Sequence, residues 1–316
     1  MRATALNKIY ELAKRDERVV FIGSDLRPNL LGEMKKEFPD RFFMIGVSEQ
    51  FMIGFAAGLA MEGFIPYLNT IGPFMTERCY EQISVDLCLH NLPVRLIASG
   101  GGYVYSKLGP THQNIKDIAI MRALPNMTVC APADAHEMAM LMDATLDFPH
   151  PMYIRLAKGG DRIITKGSIG SLKQGVTLTK LETEEEHDVL LIGTGIGSRL
   201  ALDTSEILEK ENIECCVIHH CFLKPFDSKA IYRIANKGTL LIVTVEEHTI
   251  NGGLGSIIAE IIAEKLIRQF RFSADFMRIG IPDCFSEDYG TQESLLSNVG
   301  LDPQQIADKI KLRLTN

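Results

Sequence analysis

The chain has 316 residues and a formal net charge of −7, with 46% hydrophobic and 23% charged residues. This is the composition of a globular α/β-sized protein with room for two domains, and an acidic chain with no run of Lys or Arg argues against a nucleic-acid surface. No apolar run is long enough to span a bilayer, and seven cysteines, an odd number scattered along the chain, suit reduced thiols and a cytoplasmic setting.

The first helix is interrupted by Glu11, Lys14 and Arg15 and does not read as a signal segment. Short apolar runs then predict strands at 19–23, 42–46, 65–69, 94–98, 127–131 and 152–156, with helical patterns between them, as at 74–89 and 133–146. Such alternation is the pattern of a parallel sheet with helices on both faces. From 157 to 187 it breaks down, with Gly159, Gly160, Gly167, Gly170 and an acidic run at 182–186, and this stretch is expected to be a linker. A shorter series follows, with strands at 188–193, 213–219, 240–245 and 276–279 and helices near 198–208 and 253–266. The expectation is two doubly wound α/β domains: residues 1–158, a linker at 159–187, and a smaller domain at 188–316.

Several stretches carry candidate chemistry. Glu49 sits among Phe42, Phe43, Ile45 and Phe51, and a carboxyl in such a dry place can share a proton with a ligand. Its plainer alternative is a surface glutamate in the first turn of a helix. Loops following the strands hold Ser99-Gly100-Gly101-Gly102 and Gly109-Pro110-Thr111-His112-Gln113. In open α/β sheets such loops bind ligands; glycine permits close backbone approach and histidine can move a proton. Phe74, just past Ile71-Gly72-Pro73, reads more readily as an ordinary core aromatic than as a ligand platform. Arg155 closes the strand at 152–156 beside Lys158-Gly159-Gly160. It suits a phosphate or carboxylate, or else a salt bridge to a neighbouring helix.

Two further patterns are set aside. Gly193-Thr194-Gly195-Ile196-Gly197-Ser198 follows a strand, but its glycine spacing differs from a dinucleotide fingerprint, and the next strand ends in His219 and His220 rather than an acid. Cys215, Cys216, His219, His220 and Cys221 include neighbours that point to opposite faces of a strand, so all five cannot converge on one ion and no metal site is expected there.

Together these features resemble the transketolase family of thiamine diphosphate enzymes, in particular the C-terminal section with its pyrimidine-binding and C-terminal domains. Gly46-Val47-Ser48-Glu49-Gln50 is similar to the family's G-I-x-E-Q, and 74–82 (Phe-Met-Thr-Glu-Arg-Cys-Tyr-Glu-Gln) to F-x-x-x-R-A-Y-D-Q. The G-P-T-H-Q loop, the P-N-M and P-A-D segments near 125 and 132, and Val245-Glu246-Glu247-His248 with the glycines at 252, 253 and 255 also match, in order, over nearly the whole chain. The resemblance implies that Glu49 hydrogen-bonds N1′ of the cofactor's aminopyrimidine, that Phe74 stacks on this ring, and that Asp25 and Ile71 lie beside the cofactor. It further implies that His112 touches the two-carbon fragment and that Arg155 holds a sugar phosphate.

Two departures matter. The family's Gly-Asp-Gly diphosphate motif is missing, and a diphosphate needs Mg²⁺ or Ca²⁺ with oxygen ligands. The expectation is a partner subunit carrying that motif and most of the metal's ligands, with a homodimer of this chain inside a heterotetramer. Relatives also carry Asp before the glycine of the histidine loop, where this chain has Leu108; the resemblance makes that position a reader of a substrate hydroxyl. The expected activity is ketol transfer between sugar phosphates. Alternatives are a deoxyxylulose phosphate synthase-like enzyme, the β subunit of a 2-oxoacid dehydrogenase, or a scaffold without chemistry.

Overall fold

The computed structural model describes residues 1–26, 31–165, 178–180, 187–229, 231, 238–266 and 274–315. Gly167, Gly170 and the acidic run at 182–186 therefore lie outside the described residues.

Two sheets form the frame. The first holds β1 (Val19–Gly23), β2 (Phe42–Met44), β3 (Ile65–Ile71), β4 (Arg95–Ser99), β5 (Thr128–Cys130) and β6 (Met152–Leu156). These six pair in parallel. All but β2 are buried throughout, which explains why they read as near-continuous apolar runs rather than alternating ones. The second sheet holds β7 (Leu178–Lys180), β8 (Val189–Gly193), β9 (Cys215–His220) and, after a strand taken up below, β11 (Leu241–Thr249) and β12 (Asp275–Ile281), in the order β12-β11-β8-β9-β7. Only β7 runs antiparallel to its neighbour. The mixed α/β class with two parallel-sheet units thus stands.

Helices cover both sheets. Those of the first unit are α1 (Arg2–Arg15), α2 (Gly32–Glu37), α3 (Glu49–Met61), α4 (Gly72–Thr76), α5 (Tyr80–Gln82), α6 (Asp117–Ala123) and α7 (Ala135–Ala144). Those of the second are α8 (Gly197–Glu209), α9 (Leu254–Ile261), α10 (Gln292–Asn298) and α11 (Pro303–Leu314). In α1 the buried residues Ala5, Leu6, Ile9, Leu12 and Ala13 recur at helical spacing, and α7 is started by Asp134, whose side chain accepts from the backbone N–H groups of His136 and Glu137. The single helix expected at 74–89 is instead broken into α4, α5 and a wider π-type stretch at Ile83–Leu89. The break falls at 77–79, where Arg78 turns toward Glu49.

The two units share a strand. After β9 the chain crosses at Cys221 into β10 (Phe222–Lys224), which pairs antiparallel with β5 at the edge of the first sheet. A buried ion pair accompanies this crossing: His219 Nε2 lies 2.8 Å from Glu137 Oε2 on α7, and its Nδ1 lies 2.6 Å from Ser198 Oγ. Burial works against a charge on His219, but the Glu137 carboxylate and the Cys221 sulfur together outweigh it and raise the imidazole pKa to about 10. His220 faces the other way, stacked on Phe226 at 4.1 Å, so these neighbouring histidines serve different contacts. The glycines of the 193–198 turn serve packing: a Cβ on Gly197 would stand 2.2 Å from Val245 O, and one on Gly193 would stand 2.4 Å from Ser198 Cα.

Candidate active site

Strands β1, β3 and β4 end at one edge of the first sheet, where loops of an open α/β sheet gather ligands. Glu49 begins α3 there and is 1% exposed. The backbone N–H groups of the first helical turn favour a carboxylate at this place. Its Oε1 accepts a long hydrogen bond of 3.4 Å from Thr70 Oγ1, which in turn lies 2.7 Å from Ser24 Oγ. Its Oε2 lies 2.5 Å from Arg78 Nη1.

Arg78 ties Glu49 to an aromatic platform. The guanidinium carbon lies over the Phe74 ring, 4.1 Å from its centroid. The His112 ring meets Phe74 edge-on, with centroids 5.0 Å apart, and His112 Nδ1 lies 2.9 Å from Thr111 Oγ1. With Nδ1 engaged, Nε2 is the ring atom left to meet a ligand. A buried carboxyl, an aromatic face and an imidazole, drawn from three separate stretches, therefore line one cleft.

The other sequence candidates fall into two groups. Ile71 caps α4 and is buried at the end of β3, while Asp25 is exposed, with Ser24 Oγ 3.4 Å from its Oδ1. Leu108 ends a 3-10 turn (Ser106–Leu108) and is 51% exposed, one residue before Gly109. Arg155, by contrast, is 5% exposed and committed inside the protein. Its Nε donates to Asp117 Oδ2 at 2.8 Å, and its Nη2 donates to the carbonyls of Asn114 and Glu247 at 2.9 and 2.8 Å. Burial lowers its pKa, but Asp117, Glu247 and Tyr153 more than offset this and the net shift is upward. The expected phosphate contact is thus replaced by the salt bridge to a neighbouring helix, because the guanidinium's donors point into the junction of the two units.

The glycine loop after β4 has the same destination. A Cβ on Gly101 would stand 2.6 Å from Arg155 Nε, and one on Gly102 would stand 2.1 Å from Glu247 Cδ. Here close backbone approach serves packing between units. Glu247, in the sequence motif of the second domain, accepts from Tyr103 N at 2.9 Å and Gln292 Nε2 at 2.8 Å. Burial nevertheless raises its carboxyl pKa to about 7.

Two residues given no role on sequence grounds now stand out. Arg78 makes both contacts just described. Gln113 is 2% exposed, yet neither its amide nitrogen nor its amide oxygen has a hydrogen-bond partner among the described residues, and buried orphan groups of this kind mark places where a ligand or ordered water completes the network. Both lie inside quoted motifs, which was the available signal. The donor set fits an aminopyrimidine: the cleft already accepts one flat, N–H-bearing group between the Glu49 carboxyl and the Phe74 ring. A separate cavity of about 370 Å³ at the ends of β4 and β6 is lined by Arg2, Ser99, Gly100, Tyr105 and Lys158 among others.

Known proteins resemble the chain over nearly its whole length. Residues 1–160 match the family model "Transketolase, pyrimidine binding domain" and residues 179–306 match "Transketolase, C-terminal domain". A 1-deoxy-D-xylulose-5-phosphate synthase of Caldanaerobacter subterraneus subsp. tengcongensis is 36% identical over 96% of this chain, which spans 47% of that protein. The chain thus covers about half the length of such curated relatives. A Methanocaldococcus jannaschii protein provisionally named a transketolase C-terminal section is 35% identical and is matched over 92% of its length, across 96% of this chain. A solved split-gene transketolase, described as an inactive beta4 tetramer, superimposes with a TM-score of 0.87 at 32% identity, covering 99% of this chain and 98% of that one.

Proposed function

The chain belongs to the transketolase family, and from that premise we propose that it is the C-terminal half of a split, thiamine diphosphate-dependent transketolase. It would transfer a two-carbon ketol unit between phosphorylated sugars. The observation that carries the reading is the cleft in which Glu49, Phe74 and His112 meet. Thiamine diphosphate, when bound, would supply an acidic carbon whose deprotonated form is the nucleophile toward a substrate carbonyl. Glu49 holds a proton at N1′ of the aminopyrimidine, and the dry pocket around it keeps water from competing for that proton. Phe74 supports the ring face. His112, oriented by Thr111, presents Nε2 to an oxygen of the two-carbon fragment. Asp25 and Ile71 would border the cofactor. With Arg155 committed internally, Lys158 and Arg2 in the cavity at the ends of β4 and β6 are the cations we assign to the substrate phosphate.

The diphosphate and its Mg²⁺ or Ca²⁺ fall to a second polypeptide bearing Gly-Asp-Gly and a later asparagine, since this sequence has no Gly-Asp-Gly. Homodimers of this chain with two such partners would make a heterotetramer in the cytoplasm. The similarity to a split-gene transketolase of nearly equal length supports the division into two chains. The lone chain is expected to show no ketol transfer and only weak, Mg²⁺-independent binding of thiamine diphosphate. Calorimetric titration and a transfer assay, with and without the co-purified partner, check this; tight Mg²⁺-dependent binding by the chain alone would refute it.

A second reading, synthesis of 1-deoxy-D-xylulose 5-phosphate, is favoured by the 36% identical relative; its formation by the two-chain complex would displace the first. Leu108 gives a finer test, because its half-exposed apolar side chain stands four residues before His112. A site lacking a hydrogen-bonding group discriminates by only about 1–3 kcal/mol per group. Leu108→Asp is therefore expected to improve use of hydroxylated aldose phosphates over deoxygenated or branched acceptors by about 10-fold or more. A panel of acceptor aldehydes reads this, and an unchanged ranking would leave Leu108 without a specificity role.

A further inference from the structure

Two contacts that an aminopyrimidine would make here, one to the Glu49 carboxylate and one to the Phe74 ring, are already made by a side chain of the protein. Arg78 Nη1 holds Glu49 Oε2 at 2.5 Å, and its guanidinium covers the Phe74 ring at 4.1 Å. A guanidinium and an aminopyrimidine share the features that matter here: both are flat, both carry N–H groups, and both gain from lying on an aromatic face. They compete for one face of the Phe74 ring, which holds a single flat partner at stacking distance. Glu49 is buried and Phe74 begins its packing in α4, whereas the Arg78 side chain is 34% exposed on a break between two short helices. Of the three groups, Arg78 is the one free to leave: a long side chain beside solvent can swing out without moving backbone.

We propose that Arg78 is a built-in stand-in for the cofactor's aminopyrimidine, closing the Glu49–Phe74 cleft in the unliganded protein and withdrawing when thiamine diphosphate enters. The inference rests on the reading of this cleft as the pyrimidine site. It makes Arg78 a positioning residue that satisfies the buried Glu49 carboxylate until the ring arrives, since a buried charge left unpaired is costly. The consequence is competition: cofactor affinity is reduced by the fraction of molecules in which Arg78 fills the cleft.

The test is cofactor titration of the two-chain complex by calorimetry and stopped-flow fluorescence, comparing wild type with Arg78→Met and Arg78→Lys. Removing the competitor should lower the Kd for thiamine diphosphate by about fivefold or more in Arg78→Met and abolish a slow, concentration-independent step in association, with Arg78→Lys in between because it keeps the charge and loses the plane. A merely structural arginine would not speed association when removed. If Arg78→Met binds no more tightly than wild type, or more weakly, the stand-in role is overturned and Arg78 instead supports Glu49 in the loaded site. Failure of the underlying site reading shows separately: Glu49→Gln would then leave deuterium exchange at the cofactor's C2 unchanged, whatever Arg78 does.

Discussion

Replacing Glu49 with Gln in the reconstituted two-chain complex is expected to lower turnover by about 10²–10⁴-fold, the range typical for loss of a positioned acid–base group. Glutamine preserves the shape at the start of α3 and can still accept the 3.4 Å contact from Thr70, so the fold and the cofactor's place should persist. What it lacks is a proton that can move to and from N1′. The loss should therefore appear directly as slowed deuterium exchange at C2 of the bound cofactor, with an unchanged circular dichroism spectrum. Exchange at the wild-type rate would remove Glu49 from the chemistry, and the coincidence of a buried carboxyl with Phe74 and His112 would need another explanation.

Arg155→Ala should act on stability. The guanidinium is nearly sealed from solvent and pairs with Asp117, which is itself fully buried. Deleting one partner leaves Asp117 uncompensated, and breaking a buried pair in this way costs about 3–5 kcal/mol. The carbonyls of Asn114 and Glu247 lose their donor as well, and Tyr153, whose hydroxyl donates to Asp117 Oδ2 at 2.6 Å, is left as that carboxylate's remaining neighbour in this network. Urea unfolding of the purified chain should show a clearly lowered midpoint. Any active complex formed by the variant should show parallel changes in KM for phosphorylated and unphosphorylated acceptors. A fully stable variant with a selective rise in KM for phosphorylated acceptors would return Arg155 to the phosphate-binding role that its position at a strand end suggests.

The contrast between these two residues shows how far sequence reaches. Glu49 could be singled out because a helix N-terminus is a local event; the expected aromatic surround is not what buries it, since Phe42 stacks on Phe21, Phe43 meets Phe55 and Phe51 is 62% exposed, whereas Thr70 and Arg78 contact the carboxylate. Strand and helix alternation was legible for the same reason, and β1 and β6 occupy the expected residues. Where elements depart from expectation, the cause is a distant contact. The helix expected at 74–89 breaks around Arg78, which contacts Glu49, 29 residues away. The strand β10, in the second half of the chain, completes the first sheet by pairing with β5, and no local period announces an exchange of that kind.

By itself, then, the sequence determined the α/β class, the residue types gathered at the strand ends and the family motifs, because hydrophobic period and motif spacing are properties of neighbouring residues. The tertiary structure alone decided which partner each charged group takes. A buried arginine must find acceptors, but that Arg155 finds Asp117, that Gly102 leaves room for Glu247, and that Arg78 rests between Glu49 and Phe74 follows from how separate elements pack. Those pairings join residues far apart in the chain, and only close packing of the folded core selects among the many carboxylates and arginines that composition offers.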